Sequence, residues 1–240
     1  MTPPVEVSRA WAADGAAHLR GLMTRLGDDA FAAPSALPGW TRAHVLTHVA
    51  RNADAMINLL TWARTGVETP AYADDAQRAA DIEAGARRTP AEIRADVEET
   101  SDRLAKVAKA MPAQAWSATV RNRQGVAIPA AEVLWMRATE MWVHAVDLDA
   151  GASFADMPLP MAVELLDRLV RDMAGRPGVP SMRLVADDDA REWTVGDGSG
   201  EVVEVHGPVT ELVSWLCGRG CSRRVRTGDG SRPPQLPAWR

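Results

Sequence analysis

Cysteine is nearly missing from this chain, with only Cys217 and Cys221 among 240 residues. Two thiols so close in sequence cannot staple a domain of this size, which excludes the disulfide framework of small secreted proteins. Phenylalanine and tyrosine are also scarce, at two and one residues, whereas tryptophan supplies nine. Aromatic packing therefore rests on indoles, which serve most simply in core and domain-interface contacts. No apolar run approaches the roughly 20 residues that span a bilayer. A basic excess is missing too: the net charge is −5 and the pI about 5.6, which leaves no global footprint for nucleic acid. The stretch from Arg219 to Arg232 is a local exception, either a solvated tail or in part a phosphate- or carboxylate-binding patch. The opening segment, MTPPVEVSRAWAADG, lacks the basic-then-apolar layout of a signal peptide. The expectation is a cytoplasmic, monomeric protein with neither a membrane nor a nucleic-acid partner.

What is present is helical periodicity. Val7, Trp11, Leu19, Leu22 and Met23 recur at helical spacing from Val5 to Leu26, and Gly27 ends that run. A turn-rich loop, Ser35 to Trp40, leads to Thr41, which has the chemistry of an N-cap for a second helix reaching Arg64 and stopped by Gly66. Residues 74–111 form a polar third member with a break at Thr89-Pro90. After a loop with a Gln124-Gly125 turn, Pro129 is expected to open a fourth helix that Gly151 ends. Four long helices predict a bundle over residues 1–152. The pattern then changes. An amphipathic helix from Pro160 to Ala174 precedes three alternating runs, SMRLVADD, REWTVGDG and EVVEVHG, and Pro208 opens a last helix. The predicted class is therefore α+β, mainly α: a four-helix bundle, then a small α+β domain over 153–240 with a short antiparallel sheet.

One constellation stands out. Glu140 and His144 lie four apart and so share a helical face, among Leu134, Trp135, Met141, Trp142 and Val146. A carboxylate in apolar surroundings costs several kcal/mol unless it is paired or binds a metal. The second helix carries His44 and His48, also four apart. Bundles build metal sites from inward side chains of facing helices. Two His and one Glu would leave a coordination position open, as catalytic zinc sites do. Spacing alone does not separate this from a buried Glu–His hydrogen bond. Nor does it choose between His44 and His48, which could themselves form a pair.

The motifs LPGW-T-x-x-H-V-x-x-H-V-A-R-N-A-D, T-E-x-x-x-H-x-x-D-L and W-L-x-G-R-G resemble the mycothiol-dependent maleylpyruvate isomerase family. The resemblance covers essentially the whole chain, most strongly in the two helices that carry His48 and Glu140. It implies a DinB-like bundle ahead of an α/β domain that contributes to the active-site cleft. It also implies zinc held by two His and one Glu. The family's first ligand follows the helix-opening Trp by eight residues, which from Trp40 is His48. Glu140 and His144 match the other two. His44 is then a helix-face or supporting residue, and Asn52, one turn after His48, orients a ligand or touches substrate. Arg51 and Arg137 are expected at the surface, and His18 and His206 have no evident partner. Arg219 matches the arginine that the family places near its active site, where it would grip a carboxylate and stabilise an enolate. The competing reading of Arg219 is an exposed arginine complementing a helix dipole.

The activity implied is isomerisation of maleylpyruvate to fumarylpyruvate in gentisate degradation, with mycothiol as the thiol cofactor and a small dicarboxylate as substrate. A cis double bond does not rotate at useful rates. Reversible addition of a thiolate turns it into a single bond, and elimination returns the trans alkene and the thiol. Cys217 and Cys221 need no part in this. Two alternatives remain: a mycothiol S-transferase that leaves the thiol on its electrophile, and a non-catalytic metal-binding bundle.

Overall fold

The structure, a computed structural model, describes residues 2–196, 201–220, 223–237 and 239. Its contacts divide the chain into two units, Met1–Ala152 and Ser153–Arg240.

The first unit contains α1 (Val5–Arg25), α2 (Arg42–Thr65), α3 (Asp75–Gly85), α4 (Pro90–Lys109) and α5 (Glu132–Asp147). The bundle is made by α1, α2, α4 and α5, with α1 against α5 and α2 against both α4 and α5. The polar third member is thus two helices, and the shorter, α3, packs on α2. Local chemistry sets the ends. Thr41 accepts from the His44 backbone N–H and Thr89 from that of Glu92, two caps of about 1 kcal/mol each. Gly66 closes α2 at φ 73°, a left-handed conformation that costs glycine little. Two apolar clusters fill the interior. Leu22, Leu46, Val49 and Met141 belong to one, and Leu59, Leu60, Leu104 and Leu134 to the other.

The chain differs from expectation between α4 and α5. A hairpin stands where a loop and a helix start were predicted: β1 (Thr119–Arg121) pairs antiparallel with β2 (Ala127–Pro129). Pro129 ends this strand, and α5 begins three residues later, at Glu132. Proline suits a strand end as well as a helix start, so its presence does not choose between them.

The second unit holds α6 (Leu159–Met173), β3 (Met182–Ala186), β4 (Glu192–Val195), β5 (Val203–Gly207), α7 (Val209–Leu216) and β6 (Arg226–Thr227). Leu165, Leu166, Leu169 and Met173 of α6 are buried, as are Leu184, Val195, Val205 and Leu212. The sheet order is β4-β3-β5-β6. The β3–β4 pair is antiparallel as expected and β5–β6 is antiparallel too, but the central β3–β5 pair is parallel. The antiparallel β4 flanks one side of β3; β5 reverses direction again and takes the other side, so it runs with β3. Strand β6, two residues long, carries too short a pattern to be foreseen.

Candidate metal centre

The site begins with α2 and α5. His48 faces inward from α2 and is buried, while Glu140 and His144 project one turn apart from α5. Nε2 of His48 lies 3.0 Å from Oε2 of Glu140 and 3.0 Å from Nε2 of His144, and the third edge, His144 to Glu140, is 3.1 Å. Hydrogen bonds alone cannot satisfy this triangle. Each edge needs a proton, each ring nitrogen carries at most one, and the carboxylate carries none. A cation at the centre would satisfy all three lone pairs. Tetrahedral zinc with bonds of about 2.0–2.1 Å separates its ligands by roughly 3.3 Å, close to the spacing found, so these residues fit a divalent ion. The side-chain exposure rises from 6% at His48 to 12% at His144 and 27% at Glu140, so the cluster is open on the α5 side.

The surroundings support each member. Nδ1 of His144 lies 2.9 Å from Oδ2 of Asp147, a fully buried carboxylate one turn along α5. That contact keeps a proton on Nδ1 and leaves Nε2 to face the cluster. Burial alone would lower the His144 pKa, but Asp147 and Glu140 carry it up to about 9. Burial pushes His48 down to about 4, against the pull of Glu140. Glu140 resists the upward push of burial and lies well below the usual carboxylate range, because both histidines hydrogen-bond to it. The Trp40 ring walls the cluster 5.6 Å from the His48 ring.

His44 and Asn52 contribute elsewhere. Nδ1 of His44 accepts from the Thr41 backbone N–H at 3.2 Å and lies 2.7 Å from the Thr41 hydroxyl, completing a capping box, while its Nε2 lies 3.1 Å from Glu83. Asn52 is buried and its Oδ1 accepts from Arg137 at 2.9 Å. Arg137 overturns the expectation of a surface residue. It is 3% exposed and also donates to the Val49 carbonyl at 2.8 Å and to the Ser101 hydroxyl at 3.2 Å. Burial lowers its pKa to about 10, against the raising pull of Glu140. Arg51 is half-buried and pairs with Asp96 at 2.6 Å and Asp54 at 3.2 Å. His206 does have a partner, Glu204, and His18 stacks on Trp142 with 5.1 Å between ring centres.

In the second unit Arg219 is half-buried, donates to the Cys217 carbonyl at 2.8 Å and lies 6.0 Å from the Trp239 ring centre. Cys217 is buried, and Cys221 lies outside the described residues.

The sequence reading assigned no role to two residues at the site. Asp147 had a signal, its spacing of three from His144. Arg78 of α3, with Nη2 3.2 Å from Nδ1 of His48 and its guanidinium 5.6 Å over the Tyr72 ring, had none in a polar segment.

Fold and cluster together define a class: a DinB-like helical bundle carrying a two-His, one-Glu cluster suited to a divalent ion. Residues 12–149 match the family model described as the mycothiol maleylpyruvate isomerase N-terminal domain, and the chain belongs to that family. Two solved structures resemble the chain throughout: the mycothiol-dependent maleylpyruvate isomerase and a histidine-to-alanine mutant of it. Each is 33% identical, with 98% of this chain and 97% of theirs covered, at TM-scores of 0.92 and 0.91. A search of curated proteins found no match.

Proposed function

We propose that this chain catalyses the mycothiol-dependent isomerisation of maleylpyruvate to fumarylpyruvate, with zinc held by His48, Glu140 and His144. The observation that carries the reading is the convergence of three donor atoms within 3.0–3.1 Å, open on one side, in a member of this family. Zinc, when held by these three residues, would favour the thiolate form of mycothiol, whose reversible addition to the alkene permits rotation. The protein's own part is orientation and electrostatics. Asp147 fixes the His144 ring with its Nε2 inward. Trp40 covers one flank of His48 and limits water there. Asn52 acts by holding the buried Arg137, whose positive charge favours the ionised Glu140, and His44 acts by capping α2. Arg219 is proposed as the catalytic arginine that binds a substrate carboxylate and steadies the enolate.

The protein is proposed to act in the cytoplasm as a monomer, on a small dicarboxylate and a low-molecular-weight thiol. No described helix is long and apolar enough to cross a membrane.

The test is incubation of the purified protein with maleylpyruvate, with and without mycothiol, followed by product identification. Fumarylpyruvate formed only with the thiol, and the thiol recovered unchanged, is the expected result. A thioether that accumulates stoichiometrically would move the assignment to an S-transferase. No turnover of either kind would leave a metal-binding bundle.

A further inference from the structure

Arg78 makes a contact that is at odds with metal binding at His48. A guanidinium only donates, so with Nη2 of Arg78 at 3.2 Å, Nδ1 of His48 must accept. A neutral ring then carries its proton on Nε2, the nitrogen turned towards Glu140 and His144. A metal ligand needs the reverse, a lone pair on Nε2 and the proton on Nδ1. In that state an N–H of Arg78 would face an N–H of His48, and the contact becomes repulsive. Ligation through Nε2 and the Arg78 bond therefore exclude one another.

The displaced guanidinium has no protein carboxylate ready to receive it. Among the described residues Arg78 forms no ion pair, whereas its neighbours on α3 and the hairpin are matched: Asp75 binds Arg123 at 2.7 Å. Glu140 is committed to the two histidines. Two features keep Arg78 beside the cluster. Its guanidinium lies over the Tyr72 ring, a cation–π contact, and α3 packs closely on α2 two turns later. There Gly85 faces Thr47, and a Cβ at that position would come within 2.3 Å of the Thr47 methyl group.

We propose that Arg78 leaves His48 when the metal binds and takes a carboxylate of the dicarboxylate substrate, making it a substrate-binding residue next to the metal. A guanidinium fork with most of its donors uncommitted suits two-pronged carboxylate recognition. This inference rests on the metal site proposed above and predicts that metal binding and anion binding favour each other.

The test compares the wild type with Arg78→Met, which keeps the stem over Tyr72 but has no donor, and with Arg78→Lys. Zinc affinity is measured by competition with a chelator, and maleate binding by calorimetry on zinc-loaded protein. Isomerase kinetics complete the comparison. Arg78→Met is expected to bind zinc at least as tightly as the wild type. Its maleate affinity should fall, and its KM for maleylpyruvate rise, by about ten- to a hundredfold, the effect of losing one charged hydrogen-bond partner. Lysine should recover part of that loss. Weaker zinc binding in Arg78→Met would mean that Arg78 supports His48 as a ligand, which overturns the proposal, as would unchanged maleate affinity and KM. A wild type that binds no zinc would instead overturn the metal site itself, and the exchange with it.

Discussion

The two units treat charge in opposite ways. In the bundle, Ser8, Thr47, His48, Asn52, Thr100, Arg137 and Asp147 are all buried. His48 and Asp147 belong to the cluster or touch it, and Asn52 holds Arg137, whose charge Glu140 feels. In the C-terminal unit no described polar or charged residue is fully buried. Its ionic groups, such as Arg183 with Glu192 and Glu204, or Arg191 with Asp189, lie on the surface around an apolar core. Interior polar groups destabilise a fold unless every one is satisfied. The bundle keeps several of them, and the ones beside His48 are those that the proposed metal site would use.

Breaking the cluster should give the largest effect. His48→Ala or His144→Ala removes one of the three proposed ligands, and each is expected to abolish stoichiometric zinc and isomerase activity while the helical circular dichroism persists. Zinc retained at full occupancy with full activity would remove those residues from the site. Next comes the support behind His144. Asp147→Asn should lower zinc affinity about ten- to a hundredfold, the usual consequence of losing a ligand's hydrogen-bond partner. Chelator competition reads this directly, and an unchanged affinity would make the Asp147 contact structural only.

The proton on His144 sets a pH dependence. In the metal-free protein its pKa is raised to about 9, so below that value the ring is charged and a metal must displace a proton to bind. Zinc affinity should therefore rise with pH, by about tenfold per unit in the neutral range, and level off near pH 9. The stability of the metal-free bundle has the opposite sign. The raised pKa contributes stability that is complete below the unfolded value of about 6.5 and is lost as pH rises through about 9. Denaturant titrations of chelated protein at pH 6 and pH 9 test this.

Arg137→Met carries a smaller effect. It removes a buried cation but strands the Asn52 amide oxygen, at a cost of about 1–3 kcal/mol. The change should appear as a lower unfolding midpoint. Smallest of all is Arg183→Ala in the C-terminal unit, an exposed pair that should leave both stability and activity unchanged.

Much of this molecule is legible in its sequence because local chemistry decides it. Thr41, Gly66 and Thr89-Pro90 mark helix ends by capping and backbone preference, and the spacing of Glu140 and His144 puts both on one turn. What is not legible depends on contacts distant in the chain. A capping histidine and a cluster histidine four residues apart look alike until α2 meets its neighbours. Arg137 reads as a surface charge because arginine usually is one, and only the carbonyl of Val49 and the side chains of Asn52 and Ser101 make its burial tolerable. The parallel β3–β5 pair follows from which flank of β3 each later strand occupies, and no local pattern encodes that choice.

The central claim is that one divalent ion, held by His48, Glu140 and His144, serves thiol-dependent isomerisation. Its most direct test is zinc titration of the metal-free protein with maleylpyruvate turnover in the presence of mycothiol followed alongside. The account predicts activity that rises linearly and saturates at one zinc per chain, with no rise in His144→Ala. Full turnover without metal, or saturation unaffected by that substitution, would contradict it.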